Sequence, residues 1–275
     1  MKEKITVEGV EITSPRKIVF NGSDVTKAEL ARYYAKVFPR VEPFVCKRVL
    51  SLVVCPNGTG QECFYKKHPS ANVEHIVVNN IQEVLALVQL NAVELHTWGS
   101  MVGNIENPDI MVFDLDPDEG MDISVVRQGV RDLKSILDEL GLQGFLKTSG
   151  NKGYHVVVPF IKSANWHIFY GFSRNIAELM QNKWPTRYTT NVRKDARRGK
   201  IFVDYMRNNR GATSVAPYSV RIKTASVSMP LTWSELSRVA PAGVTMTAAV
   251  RRLKSPDPWQ DFWTIAKIQK LSKVF

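Results

Sequence analysis

Cysteine is scarce in this sequence, and its spacing excludes two common uses of the residue. Only three occur in 275 residues, Cys46, Cys55 and Cys63, and no two of them form a CxxC pair. An odd number without paired spacing argues against a disulfide framework and against a zinc knuckle. We therefore expect all three to be reduced, buried thiols.

Long apolar stretches are also missing. No apolar run reaches the ~20 residues of a membrane-spanning helix, and the N-terminal stretch "MKEKITVEGVEI" contains no hydrophobic signal-peptide segment. These absences predict a protein that stays in the cytoplasm and has no membrane partner.

Acidic residues are outnumbered by basic ones. The chain has 26 Asp and Glu against 37 Lys and Arg, which gives a formal net charge of +11. Such an excess favours a polyanionic partner, with nucleic acid as the first candidate, so we expect association with the nucleoid. The length suits one large domain, or a domain with a smaller appendage, and allows a well-buried core.

The pattern of apolar residues predicts an α+β fold with antiparallel or mixed sheet. The order of elements is neither a clean βαβ repeat nor an all-β array. A capped helix begins after Thr26, with Glu29 three residues later, and another amphipathic helix closes at Gly141. Strands are predicted for "RVLSLVVC", "AVELHTW", "IMVFDLDP", "YHVVVPF" and "IFVDYM", and C-terminal helices for "WSELSRV" and "DFWTIAKIQKL".

Three aspartates are candidates for a metal site. Asp114 and Asp116 end the apolar stretch "IMVFDLDPDEG", and side chains two apart on a strand point to the same face. Paired carboxylates suit Mg²⁺ or Mn²⁺, and Asp204 in "IFVDYMRNN" could supply the third acid of a two-metal phosphoryl-transfer site. The alternatives are a strand that runs into an acidic turn, and an edge aspartate bonded to its neighbouring turn.

Between these acids lies a turn that could bind phosphate. In "KTSGNKGYHVVVPF" the residues Ser149, Gly150, Lys152 and Gly153 offer backbone N–H groups, a hydroxyl and an ammonium, and His155 begins the next strand. The alternatives are a simple hairpin and a histidine satisfied within the core.

The ordered motifs resemble a known family. "VELHTWGS", "FDLDP", "TSGNKGYHVVVPF", "IFVDYMRNNRGATSVAPYSVR" and "VSMPLTW" closely resemble the polymerase domain of bacterial ligase D, the primase-polymerase module of non-homologous end joining. The resemblance covers nearly the whole chain. It implies an archaeo-eukaryotic primase-like fold, in which two mixed or antiparallel sheets are flanked by helices.

The resemblance also implies a domain organisation. We expect one primase-polymerase domain over residues 1–275, with a DNA-end-binding part at 1–65, a catalytic core at 66–230 and peripheral C-terminal helices at 231–275.

The same resemblance assigns roles to individual residues. Asp114, Asp116 and Asp204 match catalytic acids that hold two Mn²⁺ or Mg²⁺ ions. Lys17 and Lys27 match lysines that grip a DNA 5′-phosphate, although without the family match both would be interpreted as solubilising charges. The expected nucleotide-binding residues are Phe64, on which the base would stack, together with His96, Ser149, Lys152, His155, Arg207 and Arg221.

Some features leave alternatives open. The basic run at residues 193–200 could follow a DNA backbone or be a solvated face. Ala212 stands where the family often has a lysine, the segment between Phe64 and "VELHTW" is shorter than in many relatives, and no Lys-x-Asp-Gly motif for sealing a nick occurs.

The implied activity is templated nucleotidyl transfer, which extends 3′ ends and fills gaps at double-strand breaks with NTPs or dNTPs, ribonucleotides being preferred. The implied partners are DNA ends or gapped DNA with a 5′-phosphate, a DNA ligase, a Ku-type end-binding protein and a second copy that bridges the break. The chain is then a standalone polymerase or an excised domain. Competing functions are a primase, a metal-dependent nuclease and a non-catalytic DNA-end-bridging module.

Overall fold

Two large sheets form the centre of the molecule. The computed structural model describes residues 3–70 and 73–271. The strands are β1 (Lys4–Val7), β2 (Val10–Thr13), β3 (Arg48–Val54), β4 (Phe64–Lys66), β5 (Ala92–Met101), β6 (Ile110–Pro117), β7 (Phe145–Thr148), β8 (Tyr154–Pro159), β9 (Tyr188–Thr189), β10 (Ile201–Asp204), β11 (Ser214–Val215) and β12 (Pro230–Leu231). The α-helices are α1 (Lys27–Val45), α2 (Ile81–Gln89), α3 (Ile123–Glu139), α4 (Trp166–Lys183), α5 (Met246–Arg252) and α6 (Phe262–Ile265).

The strand order confirms the predicted α+β class with mixed and antiparallel sheets. The large sheet has the order β12-β7-β8-β6-β10-β9, and its neighbours are antiparallel except for the parallel pair β10 and β9. The small sheet has the order β11-β5-β3-β4 and is antiparallel throughout. The N-terminal hairpin of β1 and β2 forms a separate pair.

Helices α3 and α4 cover one face of the large sheet, so the acids of β6 point to the other face. Leu115 of β6 and Ile201 of β10 lie against Gly129 of α3, where an added Cβ would come within 2.9 Å of Ile201. Because strand side chains alternate, Asp114 and Asp116 project from the opposite face. The apolar half of the β6 pattern thus fixes where its carboxylates emerge.

Helix α1 supports the small sheet. It begins with the predicted capping box, in which the Thr26 side chain accepts from the backbone N–H of Glu29 and the Glu29 carboxylate accepts from Thr26 N at 2.7 Å. Its apolar face is buried, and the Tyr34 hydroxyl donates to the carbonyl of Val93 in β5 at 2.8 Å.

The predicted C-terminal helices are shorter than the sequence suggested. "WSELSRV" forms a 3₁₀ helix, Trp233–Ser237, and "DFWTIAKIQKL" contains only the four-residue α6. Trp259 and Phe262 nevertheless pack with Phe44 and Phe145 in a buried cluster, so this segment contributes to the core. None of the helices in the described residues is long and apolar enough to cross a bilayer.

The expectation of three reduced cysteines is wrong for two of them. Cys55 and Cys63 form a disulfide, whereas Cys46 is free and buried. Val54 at the end of β3 pairs with Phe64 at the start of β4, so the two cysteines beside this pair face each other with Cα atoms 4.4 Å apart. The spacing rules for CxxC motifs miss a pairing that antiparallel strands create.

Candidate active site

A row of titratable side chains crosses the large sheet. In the strand register Lys147 of β7 is opposite His155 of β8, His155 is opposite Asp114 of β6, and Asp114 is opposite Asp204 of β10. Directly opposed residues in antiparallel strands share one face of the sheet, and alternation adds Asp116 to that face. The strand pairing therefore brings together the three acids that the sequence singled out.

Arginine side chains accompany the three carboxylates. Arg207 Nε lies 3.1 Å from Asp204 Oδ2, and its terminal nitrogen lies 3.9 Å from Asp114 Oδ2. Arg197 lies 3.5 Å from Asp116 Oδ2. Asp204 Oδ1 accepts from the N–H of Met206 at 2.9 Å, so the interpretation as a turn-bonded aspartate describes one of its two oxygens only.

The donor set suits a hard divalent cation. Among residues 3–70 and 73–271, no group of three or more His, Cys, Asp and Glu side chains is placed so that it could hold a metal ion as the side chains stand. Each of the three aspartates lies within 4 Å of an arginine nitrogen, so a positive charge is already held beside each carboxylate. Oxygen ligands are those that Mg²⁺ and Mn²⁺ prefer, and the residues present therefore fit such ions.

The electrostatics of the acids differ along the row. Burial alone would raise the pKa of Asp114, but the attraction of His155 and Arg207 outweighs it and lowers that pKa to about 2. Burial and the charge of Asp114 raise the pKa of Asp116, and burial raises that of Asp204 more than Arg207 lowers it. A bound cation would relieve this crowding of negative charge.

A fully buried lysine supports the histidine of the row. Lys147 donates to His155 Nδ1 at 3.0 Å, to the carbonyl of Val215 at 3.0 Å and to Ser228 Oγ at 2.8 Å. Burial and Lys147 lower the pKa of His155 to about 4, so its imidazole is neutral at pH 7. With Nδ1 as acceptor, the ring proton lies on Nε2, which is 3.4 Å from Asp114 Oδ1.

The turn that was predicted to bind phosphate is held together by hydrogen bonds to its own Ser149. Ser149 Oγ accepts from the N–H groups of Asn151 at 3.1 Å and Gly153 at 3.2 Å. Gly150 has φ +71°, and a Cβ there would lie 2.4 Å from Cγ of Arg221. Only glycine lets the arginine side chain lie against this turn, so the turn and Arg221 form one surface.

The small sheet supplies the opposite wall. His96 Nε2 lies 2.7 Å from Glu94 Oε2, and Arg221 lies 3.4 Å from the same oxygen. Burial lowers the pKa of His96. Burial alone would raise the pKa of Glu94, but its hydrogen bond with His96 and the charge of Arg221 lower it. Glu94 and Lys147 escaped the sequence analysis, because a charged residue inside an apolar strand gives no sign of what it contacts.

Of the two aromatic residues in β4, it is Tyr65 that lies in the cleft. Tyr65 is opposite Val53, which is opposite Glu94, so Tyr65 shares the face of His96. Its ring centroid is 5.9 Å from that of His96. Phe64 points to the other face and is 47% exposed, and its stacking role stays a prediction.

The two walls enclose a cleft of about 1060 Å³. It brings together most of the site residues that the sequence predicted, and the other four lie outside its lining. The lining includes His96, Asp114, Asp116, Ser149, Lys152, His155, Arg207 and Arg221, and the residues outside it are Lys17, Lys27, Phe64 and Asp204. Asp204 lies behind Arg207, to which it is bonded.

The lysines predicted to hold a 5′-phosphate form a separate lysine patch, defined by Lys17 and Lys27. Lys17 donates to Asn91 Oδ1 at 2.8 Å and to the carbonyl of Pro56, and Lys27 donates to the carbonyl of Gln89 at 2.8 Å. Within the described part of the chain neither lysine has a carboxylate partner. Burial and the charge of Lys17 lower the pKa of Lys27 to about 8. The patch thus holds two adjacent positive charges with only neutral acceptors.

The basic run at residues 193–200 is docked on the end of β6. The Arg197 guanidinium lies 3.7 Å from the ring centroid of Phe202, and the N–H of Gly199 donates to Asp118 Oδ2 at 2.8 Å. Lys194 and Arg197 both line the cleft. Part of this run therefore belongs to the cleft wall.

Comparisons with known proteins show which family the chain is similar to. The model of the family described as "LigD, primase-polymerase domain" matches residues 26–259. The multifunctional non-homologous end joining protein LigD of Pseudomonas aeruginosa is 33% identical, over 92% of this chain and 33% of the relative. The bifunctional LigD protein of Bacillus subtilis is 29% identical, over 96% of this chain and 46% of the relative.

A solved structure supports the fold. The polymerase domain from Mycobacterium tuberculosis ligase D in complex with DNA matches with a TM-score of 0.84 and 24% identity, over 91% of this chain and 96% of that one. This likeness confirms the expected fold. The chain spans less than half the length of the two curated relatives that it matches. On this sequence match, the chain belongs to the LigD primase-polymerase domain family.

Proposed function

We propose that this chain is a DNA-dependent nucleotidyltransferase that extends 3′ ends and fills gaps at double-strand breaks in non-homologous end joining. One observation carries the proposal: Asp114 and Asp116 share one cleft with the turn at residues 149–153, Arg207 and Arg221, and the register of β6 and β10 places Asp204 beside Asp114. Carboxylates, a hydroxyl, an ammonium and guanidinium groups are partners that suit a nucleoside triphosphate and a primer terminus.

The nucleotide lies between the two walls. The turn at residues 149–153, with Lys152 and Arg221, binds the triphosphate from one side, and the base stacks on an aromatic residue of β4. Arg207 moves from the acids toward the phosphates as the site fills, because its guanidinium competes for the same negative charge.

The acids hold the reacting end. Asp114, Asp116 and Asp204 would hold two Mn²⁺ or Mg²⁺ ions, which would supply Lewis-acid chemistry at the primer 3′-hydroxyl and at the departing pyrophosphate. The neutral His155, fixed by Lys147, keeps its Nε2 proton directed at Asp114 and so orients that carboxylate.

The lysine patch binds the 5′-phosphate across the gap. Two ammonium groups without a carboxylate partner suit a terminal phosphate dianion. We further propose that ribonucleotides are preferred, that a DNA ligase and a Ku-type protein act with the chain, and that two copies bridge a break.

A 3′-overhang DNA, labelled at its 5′ end and incubated with NTPs and Mn²⁺, tests the proposal. Extension of the labelled strand is the expected result. Shortening would indicate a nuclease, and binding without any change in length would indicate a bridging module. Either outcome contradicts the proposal.

A further inference from the structure

Glu94 is a buried carboxylate directly behind the cleft wall. It is 2% exposed and does not line the cleft, whereas its partners His96 and Arg221 both do. Glu94 therefore does not contact a ligand in the cleft directly. Its two partners, His96 and Arg221, line the cleft and can contact such a ligand.

The contacts of Glu94 divide between its two oxygens. Oε2 receives both His96 Nε2 at 2.7 Å and the Arg221 guanidinium at 3.4 Å. Oε1 accepts from the N–H of Ile222 at 2.7 Å, a contact between residues 128 positions apart. One carboxylate thus joins β5 to the segment that follows β11.

Burial of a carboxylate costs folding free energy unless both oxygens have hydrogen-bond partners. A well-packed apolar residue at this position would stabilise the fold equally well. The carboxylate does what no apolar residue could, because it fixes two donor side chains that both line the cleft. It is an obligatory acceptor, so His96 Nε2 carries the proton and Nδ1 keeps a lone pair.

We propose that Glu94 is a positioning residue of the nucleotide subsite, which holds His96 and Arg221 in the single arrangement that binds the incoming nucleotide. This inference rests on the proposed function. It predicts that loss of the Glu94 charge weakens nucleotide binding and leaves DNA binding unchanged.

Simple electrostatics predicts the opposite sign. Removal of a negative charge near a triphosphate should tighten the binding of that anion if no geometry is lost. The direction of the change therefore separates a positioning role from a bystander charge.

The first measurement is the dissociation constant of ATP in a complex of the full chain with Mn²⁺ and gapped DNA. The primer ends in a dideoxynucleotide, which prevents extension, and the gap presents a templating dT that pairs with ATP. Glu94→Gln should raise this constant about tenfold, as expected for one lost charge-assisted arrangement. Glu94→Asp, which keeps the charge, should lie between the wild type and Glu94→Gln.

Asp132→Asn is the matched control. Asp132 is another buried carboxylate bonded to an arginine, with Arg187 at 2.9 Å, but it lies on α3 away from the cleft. Its substitution should lower the melting temperature as Glu94→Gln does, without a change in the ATP dissociation constant.

A mutant cycle tests whether Glu94 acts through its two partners. In a chain that already carries His96→Ala and Arg221→Ala, Glu94→Gln should change ATP binding by less than about twofold. An equal loss with and without the partners would show that Glu94 acts only on general stability.

Nitrogen NMR provides a readout independent of activity, because the chain has only five histidines and the His96 signals can be assigned with His96→Ala. The wild type should show His96 protonated on Nε2, and Glu94→Gln should show a mixture or the Nδ1 form. If wild-type chain fails to bind ATP, the proposed function fails. If it binds but Glu94→Gln binds as tightly as Asp132→Asn, and the tautomer is unchanged, the positioning role alone is refuted.

Discussion

Positive charge is arranged differently in the cleft and in the lysine patch. In the cleft the arginines face carboxylates, as Arg207 faces Asp204 at 3.1 Å. In the patch Lys17 and Lys27 have only neutral oxygen acceptors among the described residues, and their mutual repulsion contributes to the lowered pKa of Lys27.

The difference matches two kinds of ligand. Paired charges can be exchanged, so a cleft of ion pairs can admit cations and then release an arginine to a triphosphate. Charges without a carboxylate partner have no ion pair to exchange, so binding of an anion by the lysine patch would depend on the protonation of the lysines themselves. The first region is suited to chemistry and the second to recognition.

The largest expected effect is on the cleft alone. Asp204→Asn should lower primer extension by roughly 10³-fold, because the group acts on the reacting atoms. Binding of gapped DNA should stay within twofold of the wild type, about the limit of independent sites. Primer extension and equilibrium binding of the gapped DNA measure the two halves of the prediction, with the exposed Asp138→Asn as control.

The patch should respond differently. Lys27→Met should remove about tenfold of the preference for a 5′-phosphate over a 5′-hydroxyl, since a charge-assisted contact is lost. The same change should raise the melting temperature, because a buried ammonium without a carboxylate partner destabilises the fold. Competition binding with the two gapped DNAs and a thermal melt check both; a 5′-phosphate preference that persists would contradict the assignment.

The pH dependence of the 5′-phosphate preference tests the role of Lys27 in the lysine patch. Since the pKa of Lys27 is lowered to about 8, its ammonium loses its proton as pH rises through that value, whereas an ordinary lysine keeps it to 10.5. The preference for a 5′-phosphate should therefore be half lost near pH 8 and fade further above it. A preference that is constant from pH 7 to about pH 9.5 would show that Lys27 does not contact the phosphate.

The smallest expected effect distinguishes the two aromatic residues of β4. Tyr65→Ala should raise the nucleotide KM severalfold, whereas Phe64→Ala should change it less, because Tyr65 shares the face of His96. Steady-state kinetics of single-nucleotide gap filling measures the nucleotide KM of both variants. A larger increase for Phe64→Ala would show that the base stacks on Phe64 instead.

The sequence predicted the components better than their arrangement. The i, i+2 spacing of Asp114 and Asp116 placed both on one face, and the capping box at Thr26 located α1. The sequence did not show the register of the strands. The pairing of Asp204 with Asp114 depends on two strands that are far apart in the chain. The partners of Glu94 were hidden for the same reason, since its contact with Ile222 N crosses 128 positions.

The central claim is that the three aspartates form one site for nucleotidyl transfer. The most direct test is single-nucleotide filling of a 5′-phosphorylated gap by the wild type and by Asp114→Asn, with Mn²⁺ and NTPs. We predict that the wild type fills the gap and that Asp114→Asn binds the same DNA without filling it. Equal filling by both proteins would contradict the account.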